Sequence, residues 1–462
     1  MFFIHSRRRK ALALHLTALL SSFTVAWVAV GQRLDGIPAY LRSSIEIVSG
    51  YSGSMGTIEL SKLALLPWQI WFAAGGIVLF GAILAAAVAR RDRALAYLVA
   101  LCLPVVFVLF KDAFVRLSGR HMFYYTGLGI CAALIMVQAS LGLGARRPRV
   151  RVVVPGLIVG LVALINLGAP MVALGAMTPP TPRFPWVTLG ARLSTYPVAM
   201  KLLTSNKARS ARARLGYPKA IREYGLPKPV VDRLRSGTVD VVPWEVGMIK
   251  AYDLRWKPRG VLQSYSAYTP YLDQLDAHRY ATDGPDRVVL RNDFIDDRCP
   301  QYDEPEFFRT LLLRYQVESR VGEMLILRRR PGPVGVAQVE LGAYRTGFGE
   351  WLDVPALGSN PVYGAIEVHP SIIGRLLDFV FQPPEAHLVL RKSNGETQTC
   401  RLIPNSVDGL LISDYIGWIG DTEALFQHKP TAYRIEAIKV TTSGPTAYQP
   451  EISTRFFSSS SP

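Results

Sequence analysis

The spacing of apolar residues divides the 462-residue chain into two unlike parts. Up to residue 177, long apolar runs alternate with short polar segments, whereas beyond it apolar, aromatic and charged residues mix as in a globular protein. Five runs have roughly the 20 residues that a bilayer-spanning helix needs, and they lie at 11–31, 65–89, 94–110, 122–143 and 152–177. The pattern predicts a transmembrane helical domain of about five spans over residues 1–178.

A polar segment at 32–62 separates the first two runs. Its apolar residues recur at helical spacing, at Tyr40, Leu41, Ile45 and Val48. This spacing is typical of an amphipathic helix that lies along a bilayer surface. The segment is therefore predicted to contain an interfacial helix.

The pattern changes twice after the last apolar run. Residues 179–236 are basic and interrupted by prolines, which predicts a helical neck. Over residues 237–331, strand-like runs at 239–243, 259–265, 286–292 and 322–330 alternate with helical runs. This alternation predicts a small three-layer α/β domain with a largely parallel sheet.

Short strand-like runs fill residues 332–462, with turn signals such as Ser393-Asn394-Gly395 between them. Such spacing is typical of an antiparallel β-sandwich. The predicted fold class is thus a multi-domain membrane protein: an α-helical transmembrane bundle, then the α/β domain and a C-terminal β-sandwich.

The net charge of +17 is unevenly distributed, since residues 1–178 hold 17 Lys and Arg against 5 Asp and Glu. Basic residues cluster before the first run and after the second and fourth. The positive-inside rule then puts the N-terminus in the cytoplasm. With an odd number of spans, we expect a bacterial inner (plasma) membrane protein whose residues 179–462 are periplasmic or extracellular.

Two of the four cysteines, Cys102 and Cys131, lie inside apolar runs, where a small buried side chain is expected. The other two, Cys299 and Cys400, lie in the globular part. An exported location would allow them to form a disulfide. The sequence leaves that pairing open.

The stretch "KDAFVRLSGRHMFYY" concentrates charge at a predicted membrane boundary. Its basic side chains, Lys111, Arg116, Arg120 and His121, suit a site for a lipid phosphate, because guanidinium groups match phosphate oxygens. The alternative is that these side chains snorkel beside an aromatic belt at the membrane surface.

The ends of the predicted strands carry aromatic and acidic residues. In an open α/β sheet, ligands bind beyond the carboxyl ends of the strands. Trp244, Glu245, Tyr265 and Tyr268 therefore form a candidate glycan-binding group. The alternative is that they only pack in the core or at its rim. No dinucleotide or phosphate-loop motif follows any strand. The acidic "NDFIDDR" lacks the calcium-loop pattern, so no metal site is predicted.

Several segments resemble one family of bacterial envelope proteins. The stretches "VDVVPWEVGMIKAYDLRWKPRGVLQSYSAYTPYLDQLDA", "IPAYLRSSIEIVSGYSGSM", "FVRLSGRHMF" and "DGLLISDYI" are similar to GT-C-like membrane glycosyltransferases that use a polyprenyl-phosphate sugar. Members of that family typically have eight or more spans and an acidic base in the first external loop. The chain would then be a shortened relative, a fragment, or one half of a system with a partner membrane subunit.

Two functions follow as predictions. In the first, the chain transfers a sugar from a polyprenyl-phosphate donor to an envelope glycan, and the resemblance makes Asp35, Glu46 and Asp112 the candidate catalytic bases. In the second, the chain is a non-catalytic, membrane-anchored glycan-binding or envelope assembly protein. The sequence leaves open whether it is an enzyme. The expected partners are the lipid bilayer and a lipid-linked sugar or envelope glycan, with no nucleic acid and no cofactor beyond the lipid-linked donor.

Overall fold

The structure is a computed structural model. It describes residues 9–56, 68–89, 93–115, 131–132, 134–135, 197–198, 200–202, 204–332, 337–358, 360–403 and 409–460. The chain divides into two compact units. The first unit comprises Met1–Arg42 and Lys62–Tyr196, and the second comprises Ser43–Ser61 and Pro197–Pro462.

The described residues before 116 form four helices: α1 (Arg9–Ala29), α2 (Ile37–Met55), α3 (Trp68–Ala89) and α4 (Arg93–Val115). A short 3₁₀ turn, Leu34–Gly36, leads into α2. Helices α3 and α4 pack against each other. Helix α2 is the predicted helix of the 32–62 segment, and Tyr40, Leu41, Ile45 and Val48 on it are exposed.

The prediction of a five-span transmembrane bundle is wrong for the residues described. Within them one helical stretch, Leu95–Asp112, is long and apolar enough to cross a bilayer. Two shorter apolar stretches, Leu16–Ala29 and Gly75–Ala85, lie within α1 and α3. The predicted spans at 122–143 and 152–177 lie, but for four residues, outside the described part of the chain.

Three short helices lead to the first sheet: α5 (Asn206–Arg214), α6 (Tyr217–Tyr224) and α7 (Lys228–Arg235). They occupy the C-terminal part of the predicted neck. Helices α6 and α7 each have a proline at the start, where its missing N–H costs no hydrogen bond.

The first sheet has five strands in the order β2-β1-β3-β5-β4. In chain order its elements are β1 (Thr238–Val242), α8 (Gly247–Ala251), β2 (Arg255–Trp256), α9 (Pro270–Asp283), β3 (Arg287–Arg291), α10 (Pro300–Asp303), α11 (Pro305–Arg314), β4 (Tyr315–Val321) and β5 (Met324–Arg329). Successive residues of a strand point to opposite faces of the sheet, so the strands contribute side chains to two cores, one on each face. Val239, Val241 and Val289 face the core under α7 and α8, and Val288 and Leu290 face the core under α9 and α11.

The sheet is mixed, which corrects the prediction of a largely parallel sheet. Strands β1, β2 and β3 run parallel, whereas β5 pairs antiparallel with both β3 and β4. The reason is the tight connection at Gly322 and Glu323, because two strands joined by a two-residue turn must be antiparallel. The run 259–265, predicted as a strand, instead forms a loop with a 3₁₀ turn at Ser264–Ser266.

The C-terminal part contains two four-stranded antiparallel sheets, ordered β10-β9-β12-β7 and β11-β8-β13-β6. Their strands are β6 (Ala337–Gly347), β7 (Leu352–Asp353), β8 (Val362–Glu367), β9 (Ala386–Lys392), β10 (Thr397–Leu402), β11 (Leu410–Leu411), β12 (Ile435–Thr442) and β13 (Glu451–Ser460). Buried residues from both sheets, including Ile366, Leu388 and Phe456, form one core. Two further helices, α12 (Ile372–Val380) and α13 (Ile419–Phe426), were not expected from the strand-rich pattern.

Candidate functional site

The residues after β1 and β3 meet at the carboxyl edge of the first sheet. Trp244 lies edge-on to Tyr265, with 5.5 Å between ring centroids. The Tyr224 hydroxyl donates to Glu245 Oε2 at 2.6 Å. Asp293 pairs with Arg291 at 2.9 Å. Burial raises the pKa of Asp293, and the nearby Glu245 adds to that rise while Arg291 opposes it. The edge thus carries two interacting acids.

A buried polar network lies directly beneath this edge. Arg259, only 3% exposed, donates to the carbonyls of Val261 and Pro243 and lies 3.8 Å from Asp276. Asp276 also accepts the backbone N–H groups of Gly260 and Val261. The network joins the loop before the 3₁₀ turn to helix α9. It therefore holds in place the loop that lies beneath this edge of the sheet.

Glu304 points from the start of α11 into a small cleft, which is also lined by Ser264, Asp303 and Phe307. Neither of its carboxyl oxygens has a well-formed hydrogen bond, although the side chain is almost fully buried. Burial raises the pKa of Glu304 well above its usual range; Arg259 opposes this, and Asp276 adds to it. The cleft encloses about 20 Å³, space for about one water molecule. The cleft is therefore too small for a sugar.

The loop that follows β3 joins three parts of the second unit. Its Arg298 pairs with Asp303 at 3.3 Å and donates to the carbonyls of Tyr265 and Ser54, the last of which belongs to helix α2. Asp297 accepts the backbone N–H of Arg401 at 2.8 Å. Cys299 forms a disulfide with Cys400 on β10, so the pairing that the sequence left open is present.

A larger cavity opens beside this loop and has a volume of about 350 Å³. Two aromatic side chains line it, Phe294 from the loop and Tyr415 from the segment after β11. Its hydrogen-bonding side chains are Asp297, Arg298, His387, Gln398 and Thr399. Phe294 is 56% exposed although it is a large apolar residue. A mixture of aromatic faces and convergent polar groups is typical of a small-molecule site.

His387 lies in the cavity wall beside a row of ionisable side chains. Its Nε2 lies 3.4 Å from Glu385, and Glu385 lies 3.6 Å from Arg401. Arg401 is buried and donates to the carbonyl of Gly53 on α2. Burial lowers the pKa of Arg401, and Glu385 opposes that change. The carboxylate orients the imidazole, so His387 presents a defined face to the cavity.

The backbone at the cavity is unusual at two consecutive positions. Asp296 and Asp297 both have positive φ, 52° and 57°. Aspartate tolerates this left-handed region better than most residues, but two in succession are costly unless the surroundings hold them. Here the Asp297–Arg401 backbone hydrogen bond and the disulfide hold the loop, which aims Asp297 at the cavity.

The predicted membrane-side residues do not form a described site. Asp35 is exposed and pairs with Arg33 at 2.6 Å. That hydrogen bond lowers the pKa of Asp35, which makes it a weak base. Glu46 lies on α2, and Lys111 and Asp112 lie near the end of α4. Asp112 is exposed. Arg116, Arg120 and His121 lie outside the described residues.

The predicted glycan group is brought together only in part. Trp244 and Tyr265 touch, and Glu245 adjoins them at the same strand edge. Tyr268 is instead buried against helix α2, next to Gly50 and Tyr51. None of the four lines the 350 Å³ cavity. The interpretation of Tyr268 as core packing is therefore the one that the structure supports.

The acidic stretch "NDFIDDR", which contains Asp297, was noted in the sequence, but the cavity residues from the sandwich were missed. The sequence did contain one indication that Glu385 and His387 act together, because residues two positions apart lie on the same face of a strand. For Gln398, Thr399 and Tyr415 no local signal exists. The pairing of β10 with β9 places Gln398 and Thr399 beside the loop after β3, whereas Tyr415 comes from the segment after β11.

Comparison of the chain with models of known protein families, with curated proteins and with solved structures gives no match in any of the three. The likeness to GT-C-like glycosyltransferases therefore stays a prediction.

Proposed function

We propose that the chain is a membrane-attached protein of the bacterial envelope whose second unit binds a carbohydrate outside the cytoplasm. The observation that carries this proposal is the cavity of about 350 Å³ between the loop after β3 and strands β9 and β10. Its volume suits one or two sugar rings at most. Its walls combine aromatic faces with hydrogen-bonding side chains.

Both the aromatic side chains and the hydrogen-bonding side chains of the cavity lining suit a sugar. The faces of aromatic rings are electronegative, so they attract the weakly positive C–H groups of a sugar ring. Asp297 accepts hydrogen bonds from hydroxyl groups, while Gln398 and Thr399 can both donate and accept. The orientation of His387 by Glu385 reduces the entropy lost when a ligand binds.

The proposed location outside the cytoplasm is supported by the Cys299–Cys400 disulfide, because such bonds persist in oxidising compartments. Membrane attachment is supported by Leu95–Asp112, the described stretch long enough to cross a bilayer. The transferase activity implied by the family resemblance has no comparable support, since Asp35, one of its three candidate bases, is held in an exposed ion pair.

The test uses the full chain in detergent micelles and an array of bacterial polysaccharide fragments, followed by calorimetric titration with the best-binding fragment. Tyr415→Ala and His387→Ala should each weaken binding by about tenfold or more, the scale of losing one well-placed contact. The matched control is Trp351→Ala. Trp351 is also a partly exposed aromatic residue, but it lies beside Arg391 and Lys439 and does not line the cavity.

Unchanged affinity in the Tyr415 and His387 variants, or a loss confined to the Trp351 variant, would place the sugar elsewhere and reject the cavity. Absence of any binding on the array would reject carbohydrate recognition itself.

A further inference from the structure

Helix α12 in the C-terminal region exposes a continuous apolar stripe. Five large side chains on it are between 45% and 82% exposed: Ile372, Ile373, Leu376, Phe379 and Val380. Their spacing of one, three, three and one residues places them along one side of a helix. A row of apolar side chains along one side of a helix is what an amphipathic helix buries against a core, a partner or a bilayer surface.

The opposite side of α12 fastens the helix to the β-strands. The Ser371 hydroxyl caps the helix by accepting the N–H of Gly374 and donates to the carbonyl of Thr446. Gly374 lies so close to the Ala447 carbonyl that a Cβ would clash with it. Leu377 packs against the buried core. The outward direction of the apolar stripe is therefore fixed by the fold.

The size of the stripe argues against a protein partner. A nine-residue helix is roughly 14 Å long and about 10 Å wide, which gives a footprint of the order of 150 Å². A stable protein interface buries about 800 Å² on each partner. The stripe alone is thus too small to hold a second copy or another protein.

A bilayer surface has no such size requirement when the chain is already attached to it. Arg375 is exposed within the same helix, and a long basic side chain there can reach anionic headgroups while its neighbours insert. The end of α12 is also next to α2. Pro383 and Gln382 contact Gly53 and Gly56 at the end of α2, whose own Ile45 and Val48 are 68% and 75% exposed.

We infer that the apolar stripe of α12 inserts into the bilayer surface and holds the second unit against the membrane. This inference rests on the membrane attachment proposed above and does not depend on sugar binding. The occupant to which it commits is the headgroup and upper acyl region of a bilayer that contains anionic lipid.

The test uses the full chain, with Cys102 and Cys131 replaced by Ala, reconstituted into vesicles of phosphatidylcholine and phosphatidylglycerol in a three-to-one ratio. Nitroxide labels are placed at Leu376→Cys and, in a second chain, at Phe379→Cys. The matched control is Val339→Cys on β6, which is 51% exposed. Collision of each label with oxygen and with a water-soluble nickel complex is measured by electron paramagnetic resonance, and an alkaline wash reports whether the chain stays attached.

We expect the ratio of oxygen accessibility to nickel accessibility to be several-fold higher at residues 376 and 379 than at residue 339. We also expect Leu376→Glu to lower this ratio for the label at residue 379 to the value measured at residue 339. Water-like ratios at both sites in a chain that survives the wash would overturn the docking of α12 and leave membrane attachment intact. Low accessibility of the labels to both oxygen and the nickel complex would mean that protein covers α12, and would also overturn its insertion into the bilayer. Release of the chain by the wash would overturn both proposals.

Discussion

Cys299 and Cys400 are bonded to each other although 101 positions separate them in the chain. The bond links the loop after β3 to strand β10, with 5.5 Å between the two Cα atoms. Beside it, the Arg401 N–H donates to the Asp297 carbonyl. The α/β sheet and the antiparallel sheets consequently belong to one compact unit.

The double substitution Cys299→Ser and Cys400→Ser should destabilise the second unit by about 2–5 kcal/mol. A cross-link that closes a long loop restricts the unfolded chain strongly, and this is the usual cost of removing a native disulfide. Urea unfolding of the full chain, followed by hydrogen exchange on peptides from residues 287–329 and 386–402, measures the loss.

Reduction provides the control for that experiment. Dithiothreitol should lower the stability of the unsubstituted chain to that of the double variant and leave the variant unchanged. Replacement of the free cysteines Cys102 and Cys131 by Ala should not alter the response to reduction. A reductant effect in the double variant would contradict the assignment.

The stability of the second unit should fall as the pH rises from 5 to 7. Burial raises the pKa of Asp273 to about 7, although its carboxylate accepts the N–H groups of Glu306 and Phe307 at the start of α11. The unfolded chain releases this proton near pH 4. It therefore binds fewer protons than the folded chain in this range, and unfolding becomes easier by up to about 1.4 kcal/mol per pH unit.

Asp273→Asn should flatten this dependence, because the amide does not titrate. Asp286→Asn is the contrasting variant, since hydrogen bonds from Thr238 lower the pKa of Asp286. That group contributes stability above about pH 4 which is lost on acidification, so its replacement should leave the slope between pH 5 and 7 unchanged. An Asp273→Asn profile as steep as that of the unsubstituted chain would refute the assignment.

Arg259→Met should destabilise the first sheet by about 3–5 kcal/mol. The substitution removes the buried cation that lies 3.8 Å from Asp276 and also interacts electrostatically with Asp240, and an uncompensated buried charge has that cost. Hydrogen-exchange protection over residues 238–291 reports the change.

The matched control is Lys257→Met, which breaks the ion pair with Asp283, whose side chain is 75% exposed. Exposed pairs contribute about 0–1 kcal/mol, so this variant should exchange almost like the unsubstituted chain. Equal effects of the two substitutions would mean that the buried network adds nothing beyond a surface pair.

Gly50→Ala should displace the C-terminal half of α2 from the second unit. A Cβ at this position would clash with the Cβ of Tyr268, whereas Gly53, one turn later on the same helix, has its nearest neighbour at 3.9 Å. Overpacking of this kind costs about 1–3 kcal/mol. Hydrogen exchange over residues 43–56 should rise in Gly50→Ala and stay level or fall in Gly53→Ala, because alanine favours helix. The reverse order would contradict the packing.

The local elements were largely predictable because they depend on short-range pattern. The short, β-branched apolar runs in Thr238–Val242 and Arg287–Arg291 identify strands, and Pro270 after Thr269 marks a helix start. The hairpin between β4 and β5 was missed because the run from Pro305 onwards continues in helix-compatible residues through Tyr315 and Val317. There, pairing with Met324–Arg329 outweighs helix propensity.

The membrane half shows the limit of composition. Apolar runs were counted as spans by their length in the sequence, whereas one stretch among the described residues, Leu95–Asp112, meets both the length and the hydropathy of a span. Composition reports that a segment is apolar, but a span also needs about 20 such residues in one helix.

By itself the sequence determined most of the segments that become strands and helices, and which cysteines were available to pair. The tertiary structure alone decided which side chains share a site. Asp297, His387 and Tyr415 come from distant segments and line one cavity. The physical reason is that local periodicity sets the face on which a side chain lies, while the partner of that face depends on strand register and long-range packing.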